Sequence, residues 1–152
     1  MKPQDFENVK HFTYEECAKT GADMAGVKKK LIYTMDDLRL DVGCRFTISS
    51  NGLNSGKHAP NGDHYKGLGI DGRFRNCPWK PNVVLQKALD AGFNAIGFYY
   101  EGFWHFGIRE KHKMWYRDKH GVYWPMLMWP YVGAENNAFI NSFIKGEDNE
   151  NR

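Results

Sequence analysis

The chain has 152 residues and a formal net charge of +3, from 21 Lys and Arg residues and 18 Asp and Glu residues. This length suits one ordinary domain, and 41% hydrophobic residues are enough for a packed core, which excludes a disordered chain. The basic residues are scattered, so the charge does not indicate nucleic acid as a partner. No stretch approaches the roughly 18 uninterrupted apolar residues of a membrane span, so none is predicted.

The chain is predicted to hold one domain. Residues 1–12 are expected to form an N-terminal arm, residues 13–140 the domain, and residues 141–152 a polar C-terminal tail. The opening MKPQDFENVK lacks an apolar stretch, so no signal peptide is expected and the chain is expected to be made in the cytoplasm. No pattern in the sequence indicates an oligomeric state.

Three helices are predicted. Thr13 and Glu16 fit a capping box, which indicates a short helix that stops before Gly21. A longer helix is predicted over 23–41, and a third over 81–91, where a proline suits the first turn and a glycine follows the end. The longer helix carries apolar residues at helical spacing along one face, namely Met24, Val27, Leu31, Met35 and Leu38.

Strands dominate the rest of the chain. They are predicted over 44–50, 68–74, 93–99 and 103–109, with a hairpin over 114–124 that turns at 118–121. Residues 51–66 are rich in Gly, Asn and Pro and predict a long loop, a feature typical of functional segments. Short links between mostly later strands predict an α+β domain, with a mainly antiparallel sheet and flanking helices.

Two patterns are set aside. The segment GLGIDG at 67–72 matches a dinucleotide fingerprint, but a loop precedes it and no helix start follows it. Cys17, Cys44 and Cys77 include no C-x-x-C pair, so neither a cysteine zinc site nor a disulfide framework is predicted. Free, buried thiols are the expectation for these cysteines.

His64, Asp71 and His105 form a candidate zinc-binding set. His64 ends the long loop, Asp71 lies in the strand that follows, and His105 lies in a later strand. Zinc binds imidazole nitrogens and carboxylate oxygens, and a catalytic zinc keeps three protein ligands with the fourth position open for water. From the residues alone, ordinary surface histidines are the favoured interpretation.

The order of several motifs resembles the zinc D-Ala-D-Ala carboxypeptidase and L-Ala-D-Glu endopeptidase family. Its core pattern is H-x-x-G-x-A-x-D, followed by a strand with a third ligand histidine. The resemblance spans roughly residues 11–116. The segments that carry it are FTISS (46–50), HYKGLGID (64–71), IGFY (96–99) and FWHFGIR (103–109), with HFTYEE (11–16) and MDDLR (35–39) matching more loosely.

The resemblance implies a fold, a cofactor and a substrate. The fold would be the small α+β fold that these peptidases share with the hedgehog signalling domain. His64, Asp71 and His105 would bind Zn²⁺, and the substrate would be a peptidoglycan stem peptide. Many family members are phage or bacterial enzymes that cut the cell wall, as endolysins do. The protein would then act at the wall after release, or be carried in a phage particle.

The sequence departs from the family pattern at four places. Gly62 stands where the family has Ser, Gly69 where it has Ala, and Gly107 where it has Asp two residues after the last histidine. The strand ending in Ser49 and Ser50 lacks the Arg that helps to hold substrate. These departures favour a second hypothesis, a non-catalytic wall-binding or structural module that keeps the peptidase fold.

A peptidase mechanism also needs a general base and substrate contacts. Glu101, four residues before His105, is the predicted base, with an exposed turn carboxylate as the alternative interpretation. Asp63 is a more distant candidate for this role. Arg73 and His58 are predicted to contact substrate, because Arg73 shares a strand face with Asp71 and His58 lies in the long loop. Arg45 is a further candidate, and ordinary salt bridges are the alternative for both arginines.

Overall fold

The computed structural model describes residues 1–125, which form helices around one six-stranded sheet. After a short 3-10 helix at Pro3–Phe6, the α-helices are α1 (Tyr14–Ala18), α2 (Lys29–Val42) and α3 (Pro81–Ala91). The strands are β1 (Arg45–Ile48), β2 (Gly69–Arg75), β3 (Ala95–Tyr99), β4 (Trp104–Gly107), β5 (Lys113–Arg117) and β6 (Tyr123–Pro125). The predicted C-terminal tail and the boundary at residue 140 lie outside the described residues.

The sheet has the strand order β1-β2-β4-β3-β5-β6. All neighbouring strands are antiparallel except β3 and β5, which are parallel. The predicted α+β class with a mainly antiparallel sheet is therefore confirmed, and one parallel pair makes the sheet mixed. Among the described residues, no helix combines the length and the apolar character needed to cross a membrane.

The core lies between one face of the sheet and the helices. Strand side chains alternate between the two faces, so every second residue of a strand points into the core. Phe46, Ile70, Ile96 and Phe106 are fully buried there, from four different strands. The predicted apolar face of the longer helix is also buried, and its members are Met24, Val27, Leu31, Met35 and Leu38.

The start of α2 differs from the prediction. The helix begins at Lys29 instead of residue 23, although Met24 and Val27 are buried at helical spacing. The side chain of Asp23 accepts a hydrogen bond from the Ala25 N–H, and its carbonyl accepts one from Gly26. These bonds close a turn that competes with the first helical turn.

Helix ends follow the predicted capping residues. Thr13 accepts a hydrogen bond from the Glu16 N–H at 3.0 Å and so caps α1. Gly43 and Gly92 end α2 and α3 in the left-handed conformation, at φ of 72° and 110°. The Asp118 carbonyl accepts from the Gly121 N–H and closes the predicted β5–β6 turn.

We expect alanine to be tolerated far worse at Gly67 than at Gly43. Both glycines are left-handed, at φ of +70° and +72°, so alanine costs about 1–2 kcal/mol at either position. A Cβ at Gly67 would lie 2.0 Å from the Gly26 carbonyl oxygen, whereas a Cβ at Gly43 has no described atom within 4 Å. Urea unfolding should therefore show Gly67→Ala to be at least about 2 kcal/mol less stable than Gly43→Ala. Equal losses would contradict the close contact between these two loops.

Candidate metal centre

Asp71 and His105 face each other across neighbouring strands. In the antiparallel pairing of β2 with β4, the two residues are direct partners. Cross-strand partners have Cβ atoms about 5 Å apart, so their side chains can meet beside the sheet. Nδ1 of His105 lies 2.8 Å from Oδ1 of Asp71. The strand register therefore brings together two residues that are 34 positions apart.

His64 reaches the same point from the loop before β2. A hydrogen bond from the Gly67 N–H to the His64 carbonyl, at 2.9 Å, closes a turn between His64 and the strand. Nε2 of His64 lies 3.2 Å from Oδ1 of Asp71 and 3.1 Å from Nδ1 of His105. The structure thus brings together the three side chains that the sequence predicts as metal ligands.

The outer nitrogen of each histidine has its own hydrogen-bond partner. Nδ1 of His64 contacts the Leu53 carbonyl, which accepts only, so this nitrogen carries the proton of the neutral ring. Nε2 of His105 lies 3.1 Å from a carboxylate oxygen of Asp63 and donates to it. In the neutral rings, the two inner nitrogens are therefore acceptors, and both face the carboxylate of Asp71.

The electrostatics of the centre favour positive charge. Burial alone would raise the pKa of Asp71, but hydrogen bonds and charges from His105 and His64 in their protonated forms outweigh burial and hold that pKa well below its usual range. Burial alone would lower the pKa of His105, but Asp63 and Asp71 outweigh burial and raise it above its ordinary value. Three clustered acceptors repel one another unless positive charge lies between them.

Asp63 and Arg109 support the centre from outside. Asp63 is only 3% exposed, and Arg109 donates to both of its carboxylate oxygens, from Nε at 2.8 Å and from Nη2 at 2.6 Å. Burial opposes the charge of Asp63, but His105 and Arg109 outweigh burial and lower its pKa. Sequence reasoning gave Arg109 no role, although this residue follows β4 and ends the segment FWHFGIR (103–109) that carries part of the resemblance.

Two glycines leave the space that the Asp63 side chain occupies. A Cβ at Gly107 would lie 2.4 Å from Oδ2 of Asp63 and 2.9 Å from Nε2 of His105. A Cβ at Gly69 would lie 3.0 Å from the Cβ of Asp63. Real Cβ atoms essentially never come within 3.0 Å of another atom, so a larger residue at position 107 would displace the Asp63 side chain. A larger residue at position 69 would crowd Asp63 and would lie 2.9 Å from the His64 backbone nitrogen.

His58 lies beside the centre. The potential ligand atoms of His58, His64 and Asp71 all lie within 4.8 Å of one another, so this group could hold a metal ion. The ring of His58 stacks on the ring of His64, with centroids 3.7 Å apart and an interplanar angle of 13°. Nε2 of His58 makes a 2.7 Å hydrogen bond with the Ser55 carbonyl, which leaves Nδ1 for any other partner.

A cavity of about 1400 Å³ opens beside these side chains. The carboxylates among its described lining residues are Asp63 and Asp71. Its cationic and aromatic lining residues, apart from the histidines, are Lys57, Arg109, Lys113, Phe93, Tyr99, Trp115, Tyr123 and Trp124.

Glu101 and Arg73 lie outside this cavity. Glu101 is exposed in the turn between β3 and β4 and is not among the described lining residues. The guanidinium carbon of Arg73 lies 3.8 Å from the centroid of the Phe103 ring, and its buried Nε has no hydrogen-bond partner. Arg45 is exposed at the start of β1. The roles predicted for these three residues therefore stay predictions without a contact to the centre.

The chain matches no protein-family model, no curated protein and no solved structure.

We expect Asp63→Asn to destabilise the metal-free protein at pH 7 by about 2 kcal/mol. It leaves Arg109 without its counter-charge, and the loss stays below that of a fully buried pair because Arg109 is 26% exposed. The pKa of Asp63 is lowered on folding, so its contribution is complete above the ordinary value of 3.8 and disappears as the pH falls below it. Urea unfolding in chelator at several pH values, with Asp37→Asn on the exposed side of α2 as control, measures this difference. If the difference in unfolding free energy between the wild type and Asp63→Asn stayed constant down to about pH 2, this result would contradict the ion pair.

Proposed function

We propose that this protein is a zinc-dependent peptidase that hydrolyses an amide bond in peptidoglycan stem peptides. One observation carries the proposal: the inner atoms of His64, Asp71 and His105 lie within 3.2 Å of one another beside an open cavity. The sequence resemblance to zinc carboxypeptidases and endopeptidases supplies the substrate class.

The spacing of the three atoms fits one zinc ion. Ligand atoms at the Zn–N and Zn–O distances of about 2.0–2.2 Å lie roughly 3.3 Å apart around a tetrahedral ion. The distances among His64, Asp71 and His105 are 2.8, 3.1 and 3.2 Å, only slightly shorter. Three protein ligands would leave a fourth coordination position for water or substrate, which is the ligand count of a catalytic zinc site.

His105 is a better third ligand than His58. The lone pair of an imidazole nitrogen lies in the ring plane, and the rings of His58 and His64 are nearly parallel and stacked face to face. Their in-plane lone pairs therefore do not converge on one ion. The rings of His64 and His105 meet at 68°, which allows convergence. We assign His58 to packing against the outer face of His64.

Two of the four departures from the family pattern have a physical explanation at Asp63. Asp at position 107 would collide with the Asp63 carboxylate, and Ala at position 69 would crowd the Asp63 Cβ and the His64 backbone nitrogen. In this chain, the carboxylate of Asp63 lies where a residue-107 side chain would start, and it accepts the hydrogen bond of His105 Nε2. A zinc-bound histidine usually donates its outer N–H to a carboxylate. We infer that Asp63 takes this role here in place of an Asp at position 107.

In the proposed hydrolysis, zinc and the protein side chains have different roles. Bound zinc polarises a carbonyl group and lowers the pKa of a water molecule toward 7. The side chains hold the ion, with Asp63 fixing the ring of His105. Burial raises the pKa of Tyr99 to about 12, so its phenol keeps its proton at neutral pH and can donate a hydrogen bond to a substrate oxygen in the cavity.

The cavity suits the proposed substrate. Stem peptides carry free carboxylates, and Lys57 and Lys113 line the cavity at positions from which they can attract anionic groups. Such a substrate also implies a location: the protein acts at the cell wall after release from the cytoplasm, or from a phage particle.

One observation favours a non-catalytic module as a second candidate. Among the described lining residues, the carboxylates are Asp63 and Asp71. Asp63 pairs with Arg109 and Asp71 contacts His105, so neither carboxylate is available as a general base. Glu101, the base predicted from the sequence, is exposed in its turn. A module that binds zinc and stem peptides without cleaving them fits this arrangement as well.

We expect the protein to bind one zinc ion per chain through His64, Asp71 and His105. His105→Ala should lower zinc affinity by more than about 100-fold, because loss of even a supporting residue costs about 10–100-fold. His58→Ala should lower it by less than about tenfold, and the exposed His120→Ala serves as the matched control. Competition titration with a chromogenic chelator measures each affinity, and circular dichroism checks that each variant is folded. A larger loss in His58→Ala than in His105→Ala would replace our ligand set with His58, His64 and Asp71.

We expect the zinc-loaded protein to release new amino and carboxyl ends from purified peptidoglycan. His105→Ala should abolish this release, and Tyr99→Phe should slow it about tenfold through the lost hydrogen bond. Mass spectrometry of the released muropeptides identifies the bond that is cut.

Two further measurements test the predicted base and distinguish a peptidase from a binding module. Glu101→Gln tests the predicted base: loss of cleavage with zinc still bound supports Glu101, and an unchanged rate contradicts it. Zinc binding with retention on peptidoglycan but without cleavage would replace the peptidase with the binding module.

A further inference from the structure

We infer that Cys44 and Cys77 form a reversible disulfide within the chain. Their Sγ atoms lie 2.7 Å apart, although the residues are 33 positions apart in the sequence. Both side chains are half-buried, so a small disulfide reagent can reach them, whereas Cys17 is fully buried in the core. Neither residue belongs to the metal centre, and the inference does not depend on the proposed function.

The β1–β2 pairing explains why the two sulfurs meet. Arg45 pairs with Arg75 at the open end of this ladder, so the residues just beyond each strand lie side by side. Asn76 adopts a left-handed conformation, at φ of 50°, and turns the chain out of β2. Cys77 follows this turn and contacts Cys44, which directly precedes β1.

The surroundings hold both segments in place. The indole N–H of Trp79 donates to the Val42 carbonyl at 2.8 Å, which ties the chain after Cys77 to the last turn of α2. The thiol of Cys44 lies 3.6 Å from the same carbonyl oxygen. A disulfide bond is about 2.05 Å long, so the sulfurs need to approach by only about 0.7 Å.

The cross-link forms by exchange with a disulfide such as oxidised glutathione. The thiolate of one cysteine attacks the reagent and releases one glutathione, which leaves a mixed disulfide. The second thiolate attacks the protein sulfur of that mixed disulfide and releases the other glutathione. Two protein thiols thus lose two protons and two electrons, and one oxidised glutathione becomes two reduced molecules. Burial and the contact with Cys77 raise the pKa of Cys44 to about 11, so attack by the Cys44 thiolate is slow at neutral pH.

Thiol counting and peptide mapping test the inference. The folded protein is equilibrated with oxidised glutathione, unfolded, alkylated with iodoacetamide and weighed by mass spectrometry. We expect one alkylated thiol, at Cys17, and a cross-linked peptide that joins Cys44 to Cys77. Three alkylated thiols, or glutathione adducts on Cys44 or Cys77 without the cross-link, would overturn the inference.

Thermal unfolding adds a second measurement. The cross-link should raise Tm by about 5–10 °C, because it restricts the unfolded chain over a long loop, and dithiothreitol should reverse this rise. Cys44→Ser should show no response to oxidised glutathione, and Cys17→Ala, which keeps the pair, should respond as the wild type does. If oxidised glutathione raised the Tm of Cys44→Ser as much as that of the wild type, the rise would not come from the cross-link, and the inference would be overturned.

Discussion

At the candidate metal centre, two imidazole nitrogens and one carboxylate oxygen lie within 3.2 Å of one another. The Leu53 carbonyl and the Asp63 carboxylate hold the outer nitrogens of His64 and His105 as donors, so the inner nitrogens are acceptors. Acceptors that face one another in a buried place repel, and the repulsion is stronger there than in water. A proton can relieve one contact of this kind, whereas a divalent ion relieves all of them at once.

The sequence predicted most of the fold because local patterns and tertiary packing agree there. Strand alternation, the Thr13 cap and the glycines after the helices are local signals, and each produced the expected element. The start of α2 is different, since Met24 and Val27 are buried at helical spacing while Asp23 holds the backbone in a turn. Apolar spacing reports which residues are buried, and it does not report which hydrogen bonds the backbone makes. The parallel pairing of β3 with β5 likewise leaves no local signal.

The candidate site divides in the same way. His64, Asp71 and His105 could be found because the order of the motifs resembles that of a zinc peptidase family, whose ligands match these three positions. The pair of Asp63 with Arg109 joins a loop to a residue 46 positions away, and no spacing rule connects the two. The absence of Asp at position 107 looks like a loss of function in the sequence, yet in the structure it makes room for a carboxylate from elsewhere. A missing family residue is therefore weak evidence against a site until the space it would occupy has been examined.

Strand β2 connects the two chemical features of the molecule. It carries Asp71 opposite His105 and ends at Arg75, two residues before Cys77. A slip of one residue in its register would turn Asp71 to the other face of the sheet and would also separate Cys77 from Cys44. A cross-link at the end of the strand would oppose such a slip, and a metal ion bound through Asp71 would oppose it from the middle. Each of the two proposed features would therefore stabilise the backbone arrangement that the other requires, although the two sites share no residue.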